Sequence, residues 1–246
     1  MLPDNKDILK RKVLGKFHRI KGEILYHQFR GVKANVFVLY LPETRRILSS
    51  RQGFKRVNLV CNCYVPEPLW EFLESQFRNW KVYLEEVFNE LNLPLDKAAV
   101  LSTGVNMEDL VWVEESFENL WALAFVTAGV KSNAMRIGED RAGSIERNGQ
   151  FEKVSTINTI LLTNVLLDLA ALSASFITIT EAKVIALQDL DIRSSYNPRW
   201  QATGTGTDQI IVVSGKGPRC TYVGGHCKIG ELIARAVTSA TIKAIK

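Results

Sequence analysis

An α+β fold, one domain with a mixed sheet and helices packed in layers against it, is what this sequence predicts. Three observations carry that expectation. The 246 residues are 46% hydrophobic, enough to bury a substantial core. The first quarter is a series of short alternating or β-branched runs, which read as strands. Long apolar stretches at helical spacing then interrupt the strands, where a purely β protein would have turns.

Residues 1–22, with "KDILKRKVLGKFHRIKGE", read as a basic, solvated and partly helical arm that could also dock an acidic partner. Residues 23–246 read as a single domain. Its first strands are "EILYHQF", "NVFVLYL", "RRILSS" and "RVNLVCNCYV", each bounded by Gly, Pro or charged residues. Leu69, Leu73, Phe77, Trp80, Leu84, Val87 and Leu91 then recur at helical spacing, with Pro94 as the stop. That aromatic stripe is a core stripe. Strands at "VWVEES" and "LWALAFVTAG", a charged loop at 138–150 and a buried strand "TINTILLTN" follow. A long helix capped by Asp168, a strand "DQIIVVSG" and a last amphipathic helix complete the chain.

A net charge of +5 is mild and argues against a nucleic-acid partner. Asn164 and Asp168 interrupt the longest apolar run, which argues against a membrane span. The charged N-terminus has no signal-peptide pattern, so a cytoplasmic location is expected. Four cysteines are too few for a disulfide scaffold. Cys61, Cys63, Cys220, Cys227 and His226 are soft ligands, but their spacing fits no zinc arrangement, and no metal is expected.

Two helices carry candidate chemistry. Around the helix after Asp168, Leu169, Leu172, Phe176, Ile179 and Leu187 share one side, and Ala170, Ala174, Ile177, Val184 and Ile185 surround Glu181 on another. A helix apolar on both sides is expected to be buried between layers, with Glu181 in apolar surroundings. There it either pairs with Lys183 or Lys228, or serves as a general acid/base. In "YVGGHCKIGELIARAV" two glycines precede a helix start, where backbone N–H groups favour negative charge. His226 lies at that start, either as an ordinary hydrogen-bonding residue or as a base.

The stretch "ATGTGTD", 202–208, is neither a dinucleotide fingerprint nor a phosphate loop. Its third glycine position is Gln209, and it precedes a strand. Nor does the chain contain a Gly-x-Ser-x-Gly elbow.

Five ordered segments resemble one family: "FVTAGVKSNAMRIGED", "STINTILLTN", "ITITEAKVIALQDLDIRSSY", "ATGTGTD" and "YVGGHCKIGELIARAV". They are similar to the adenosylcobinamide amidohydrolases, the CbiZ family of corrinoid salvage. The likeness is strong over 125–237, weaker over 45–110, and absent from the basic leader. Ser155, the run Gly138-Glu139-Asp140, and Cys227 depart from the family pattern. The resemblance implies hydrolysis of the amide between a corrin side chain and aminopropanol, giving adenosylcobyric acid. No cofactor is implied, the substrate itself being a cobalt corrinoid. Homo-oligomerisation is left open.

Amide hydrolysis needs an activated nucleophile or water, donors for the oxyanion and an acid for the leaving amine. Within the motifs, Glu181 or His226 takes the acid/base role, with Asp208 orienting or sharing the proton. Thr205 or Thr207 supplies a hydroxyl, and Asn133 with glycine-loop N–H groups serves the oxyanion. Thr127, Gly129, Ser132, Asn158, Asn164, Lys183, Gly204, Gly206 and Gly225 are the candidate substrate contacts. Competing readings are a corrinoid-binding protein without chemistry, an amidase for another substrate, and a threonine exposed by self-cleavage.

Overall fold

The computed structural model describes residues 10–75, 77–142 and 156–245. The chain divides into two compact units, one containing residues 10–44 and 57–107, the other 45–56, 108–141 and 156–245. Each combines a sheet with helices, the α+β class that the sequence predicts.

In the first unit, β1 (Lys10–Phe17), β2 (Ile20–Phe29) and the start of β3 (Val32–Ser49) form an antiparallel meander. The expectation of a partly helical arm is corrected by β1. The period-2 pattern is masked because both faces carry lysine, and only pairing with β2 makes the segment a strand. His18 and Arg19, both at positive φ, form the tight turn of that hairpin. Lysines along this edge strand also discourage pairing with another chain. Residues 1–9 of the predicted arm lie outside the described residues.

Strand β4 (Gly53–Tyr64) pairs with β3 and, in parallel, with β5 (Ala98–Thr103). A parallel pair needs a crossover. Helices α1 (Trp70–Ser75) and α2 (Phe77–Glu90) provide it. Leu69, Leu73, Val87 and Leu91 are buried as the spacing predicts, joined by Tyr83 and Phe88, which the stripe omits. The helix stops at Glu90, ahead of Pro94, with Asn92 at positive φ. "NVFVLYL" and "RRILSS" form one strand, β3, through Pro42 rather than two. Pro42 falls between the stretch paired with β2 (32–40) and the one paired farther along (47–49), so its missing N–H breaks neither ladder.

His27 lies between Leu25 and Phe29 on β2 and is fully buried. Burial, partly offset by the Gln28 backbone, lowers its pKa from 6.5 to about 4. The unfolded chain therefore takes up this proton first. The contribution of His27 to stability is complete above pH 6.5, is lost between pH 6.5 and 4, and changes no further below. The full loss is ~3 kcal/mol. In denaturant titrations wild type should lose about 2.5 kcal/mol more than His27→Leu between pH 7 and 4.5. Identical losses would mean that His27 is not the acid-sensitive group.

The second unit builds its sheet from β6 (Val111–Phe117), β7 (Leu120–Ala128), β9 (Ile157–Thr163) and β12 (Gln209–Val213). Beside β12 runs the far end of β3, paired through Ser49, Leu48 and Ile47. All neighbours are antiparallel except β9 and β12. Their crossover is α3 (Leu169–Asp189). Short pairs β8 (Ala134–Met135) with β11 (Gly204–Thr205), and β10 (Leu166–Leu167) with β13 (Arg219–Cys220), tie the loops. Helix α4 (Lys228–Ile245) lies with α3 on one face of the sheet. That layer buries Ala124, Val126, Leu161 and Val212 against Leu172, Ile179, Ile233 and Val237.

Asp168 caps α3 as predicted, its Oδ1 accepting from Ala171 N at 2.9 Å. By length and composition α3 could cross a membrane. Its inner side, however, packs on the sheet and α4. The expectation that both sides are buried is corrected: Leu169, Ile177 and Ile185 are exposed. Apolar periodicity shows which residues share a side, and the tertiary packing decides which side is covered.

Candidate active site

Residues 202–208 fold back on themselves around one carboxylate. Asp208 Oδ1 accepts from Thr205 Oγ1 at 2.5 Å and from Thr205 N at 3.2 Å. Ile157 N, at the start of β9, donates to the same oxygen at 3.1 Å. On the other side Lys183 Nζ, from α3, reaches Asp208 Oδ2 at 2.5 Å. Both side chains are largely buried (12% and 15% exposed), so each charge depends on the other. A carboxylate has about four acceptor positions, and these donors fill them.

The glycine pattern follows from this crowding. A side chain at Gly204 would overlap both the Asp208 carboxylate and the Lys183 ammonium. Gly206 passes close to Met135 Sδ. Two further segments lock the turn. Gly204 and Thr205 pair with Met135 and Ala134, and Thr203 N donates to Met135 O at 2.9 Å. Thr156 Oγ1 donates to Thr207 O at 2.5 Å. Asp140 Oδ2 accepts from Arg136 N and from Ser194 Oγ, joining the loop after β8 to the segment after α3. Four of the five motif segments thus meet around Asp208 and Thr205.

The fifth segment reaches α3 from the opposite flank. Thr178 Oγ1 donates to Val223 O at 2.8 Å, and Thr238 Oγ1, on α4, donates to Ala182 O at 3.1 Å. Gly230, in the first turn of α4, lies against the carbonyls of Val223 and Gly224, and no larger residue fits there. His226 is exposed, edge-on to Tyr222 with ring centroids 6.0 Å apart.

The structure therefore groups Asp208, Thr205, Lys183, Gly204 and Gly206, and leaves Glu181 and His226 outside the group. Glu181 is exposed, contrary to the expectation of an apolar surrounding. Two residues on a helix are separated by about 200°, so Glu181 and Lys183 project from opposite sides of α3. Lys183 pairs with Asp208 and Lys228 with Glu231, so neither partners Glu181. Thr207 uses its carbonyl in the turn and is exposed. Asn133 is half-buried just before β8, Ser132 is exposed, and Gly129 N donates to Thr156 O. Gly225 is exposed beside His226.

Three predicted contacts belong elsewhere. Thr127 and Asn158 face each other across β7 and β9, on the side of the sheet away from α3. Asn164 closes the far end of β9, accepting from Trp121 N and donating to Asn119 O, about 20 Å along the strand from Asn158. Sequence reasoning reaches Thr156 only as a threonine that self-cleavage could expose, and misses Thr178 and Gly230. A threonine two residues before Asn158 and a glycine inside a helix were the available signals. Among the described residues no group of three or more His, Cys, Asp or Glu side chains could hold a metal ion. Cys61 and Cys63 are buried in the first unit's core, where burial pushes the Cys61 thiol pKa up.

Known proteins bear on this arrangement. An uncharacterized protein of Methanocaldococcus jannaschii is 41% identical over 224 residues, 87% of this chain and 86% of that one. A Methanosarcina mazei protein named adenosylcobinamide amidohydrolase is 35% identical over 156 residues, 59% of this chain and 63% of that one. A crystal structure from Pyrococcus horikoshii OT3 is loosely similar, with a TM-score of 0.43 and 10% identity over 86% of this chain and 77% of that one. The family model described as adenosylcobinamide amidohydrolase matches residues 20–246, nearly all of the sequence, and the chain belongs to that family, the CbiZ amidohydrolases.

Proposed function

We propose that this hydrolase cleaves the amide between the corrin side chain and aminopropanol in adenosylcobinamide, at the Asp208–Lys183–Thr205 centre. The meeting of four motif segments on one carboxylate carries this reading. Thr205 Oγ attacks the amide carbonyl, and its proton passes along the existing hydrogen bond to Asp208 Oδ1. The Lys183 ammonium holds the carboxylate in place. Its remaining N–H donors, unused among the described residues, stabilise the oxyanion. Asp208 then returns the proton to the departing amine, and water cleaves the resulting ester by the same relay.

The products are adenosylcobyric acid and aminopropanol, which fits a cytoplasmic salvage step. The reading takes 23–246 as one amidohydrolase domain and requires no cofactor beyond the cobalt corrinoid that is the substrate. Glu181, on the exposed side of α3, and His226, beside its far flank, serve substrate binding in this scheme. Incubation of the purified chain with adenosylcobinamide tests it, with mass spectrometry of the corrinoid. Conversion to adenosylcobyric acid is expected. A corrinoid that binds and stays intact would overturn the proposed activity.

A further inference from the structure

Helix α3 leaves one long side uncovered. On it Leu169 is 59% exposed, Ile177 63% and Ile185 48%. From Leu169 to Gln188 the exposed residues are Leu169, Ala170, Ile177 and Ile185, set among Ser173, Thr180, Gln188 and a single charge, Glu181. Three large aliphatic side chains exposed on one helix leave apolar surface open to an apolar ligand.

The helix geometry places this face between the two motif-bearing flanks. Taking Ile177 as the centre, Thr178, which holds the loop at Val223, lies about 100° to one side, and Lys183, which holds Asp208, about 120° to the other. Tyr222, 69% exposed, stands with His226 beside the first flank. The exposed strip is roughly 28 Å long and 10 Å wide, or roughly 300 Å². A stable protein partner needs about 800 Å² per side. The strip is too small for that, and its stretch around Ile177 and Ile185 is the size that one flat macrocycle covers.

We propose that the exposed side of α3, centred on Ile177 and Ile185, is the seat on which the corrin ring rests, with Tyr222 at its rim. This rests on the amidase reading. An amide at the end of a bulky ring's side chain can reach a largely buried centre only if the ring has an open apolar surface beside it. The seat supplies that surface, and the Lys183 flank leads from it to Asp208.

Ile177→Asp, Ile177→Lys and Ile185→Lys test the seat, since each changes an exposed residue and spares the core. Binding of adenosylcobyric acid, followed by equilibrium dialysis, should weaken roughly tenfold in each. KM for adenosylcobinamide should rise similarly, with kcat within threefold. Both charge signs at position 177 should act alike, and Ile177→Leu should restore wild-type values. Unchanged binding and KM would overturn the seat while leaving the amidase reading intact. Variants that dissociate a wild-type dimer without altering KM would also overturn it, in favour of a second copy on this face. If wild type leaves adenosylcobinamide uncleaved yet binding still depends on Ile177, the amidase reading fails and the seat stands.

Discussion

Asp208→Asn lowers kcat on adenosylcobinamide by roughly 10²–10⁴-fold, the usual size of a lost proton-transfer group. The physical reason is the donor set around that carboxylate. Lys183 Nζ, Thr205 Oγ1, Thr205 N and Ile157 N all point hydrogens at Asp208. An amide of the same shape has one oxygen, and its NH₂ must face a donor whichever way it turns. Thr205 then has no acceptor for its proton, and the Lys183 charge is left without a counter-charge. Asn is preferred to Ala as the test because a largely buried lysine with no partner at all risks unfolding. Two companions separate chemistry from structure. Thr205→Ser keeps the hydroxyl and should stay within tenfold of wild type. Thr205→Val keeps the volume and should fall as far as Asp208→Asn. A folded Asp208→Asn protein with near-normal turnover would remove the carboxylate from the mechanism.

Gly230→Ala destabilises the fold by about 3 kcal/mol or more, at the upper end of what overpacking costs. The added methyl would strike two backbone carbonyls, those of Val223 and Gly224, which cannot swing aside like a side chain. The loop that carries Tyr222 and His226 must move away from α4, straining the Thr178 bond to Val223 O. For a chain of this size the Tm should drop by roughly 10 °C. Gly225→Ala is the internal control, because a Cβ there meets nothing within 4 Å, and its Tm should match wild type. Equal melting of Gly230→Ala and wild type would show that the loop is not held this closely.

Particular residues show what the sequence reveals and what it hides. Asp208 stood out because a carboxylate closing a run of hydroxyls and glycines is chemically unusual, and its environment is indeed dense with donors. From the sequence Lys183 reads as a substrate contact or a partner of Glu181. Its pairing with Asp208, 25 positions away, depends on how α3 lies against the turn, and no local pattern encodes that. Glu181 was misplaced for a related reason. Leu172 and Ile177 are equally apolar, and only the sheet decides which of them is covered. His27 gave no local signal, since a strand histidine becomes titration-shifted only when its face is packed. The strands and helices were legible from their own periods, whereas β1 needed β2 beside it to become a strand.

The most direct measurement is aminopropanol release from adenosylcobinamide by wild type and Asp208→Asn, at equal bound corrinoid. The account predicts one aminopropanol per adenosylcobyric acid from wild type, and at least a hundredfold slower release from the folded, substrate-loaded variant. No release by wild type, or equal release by both, would contradict it.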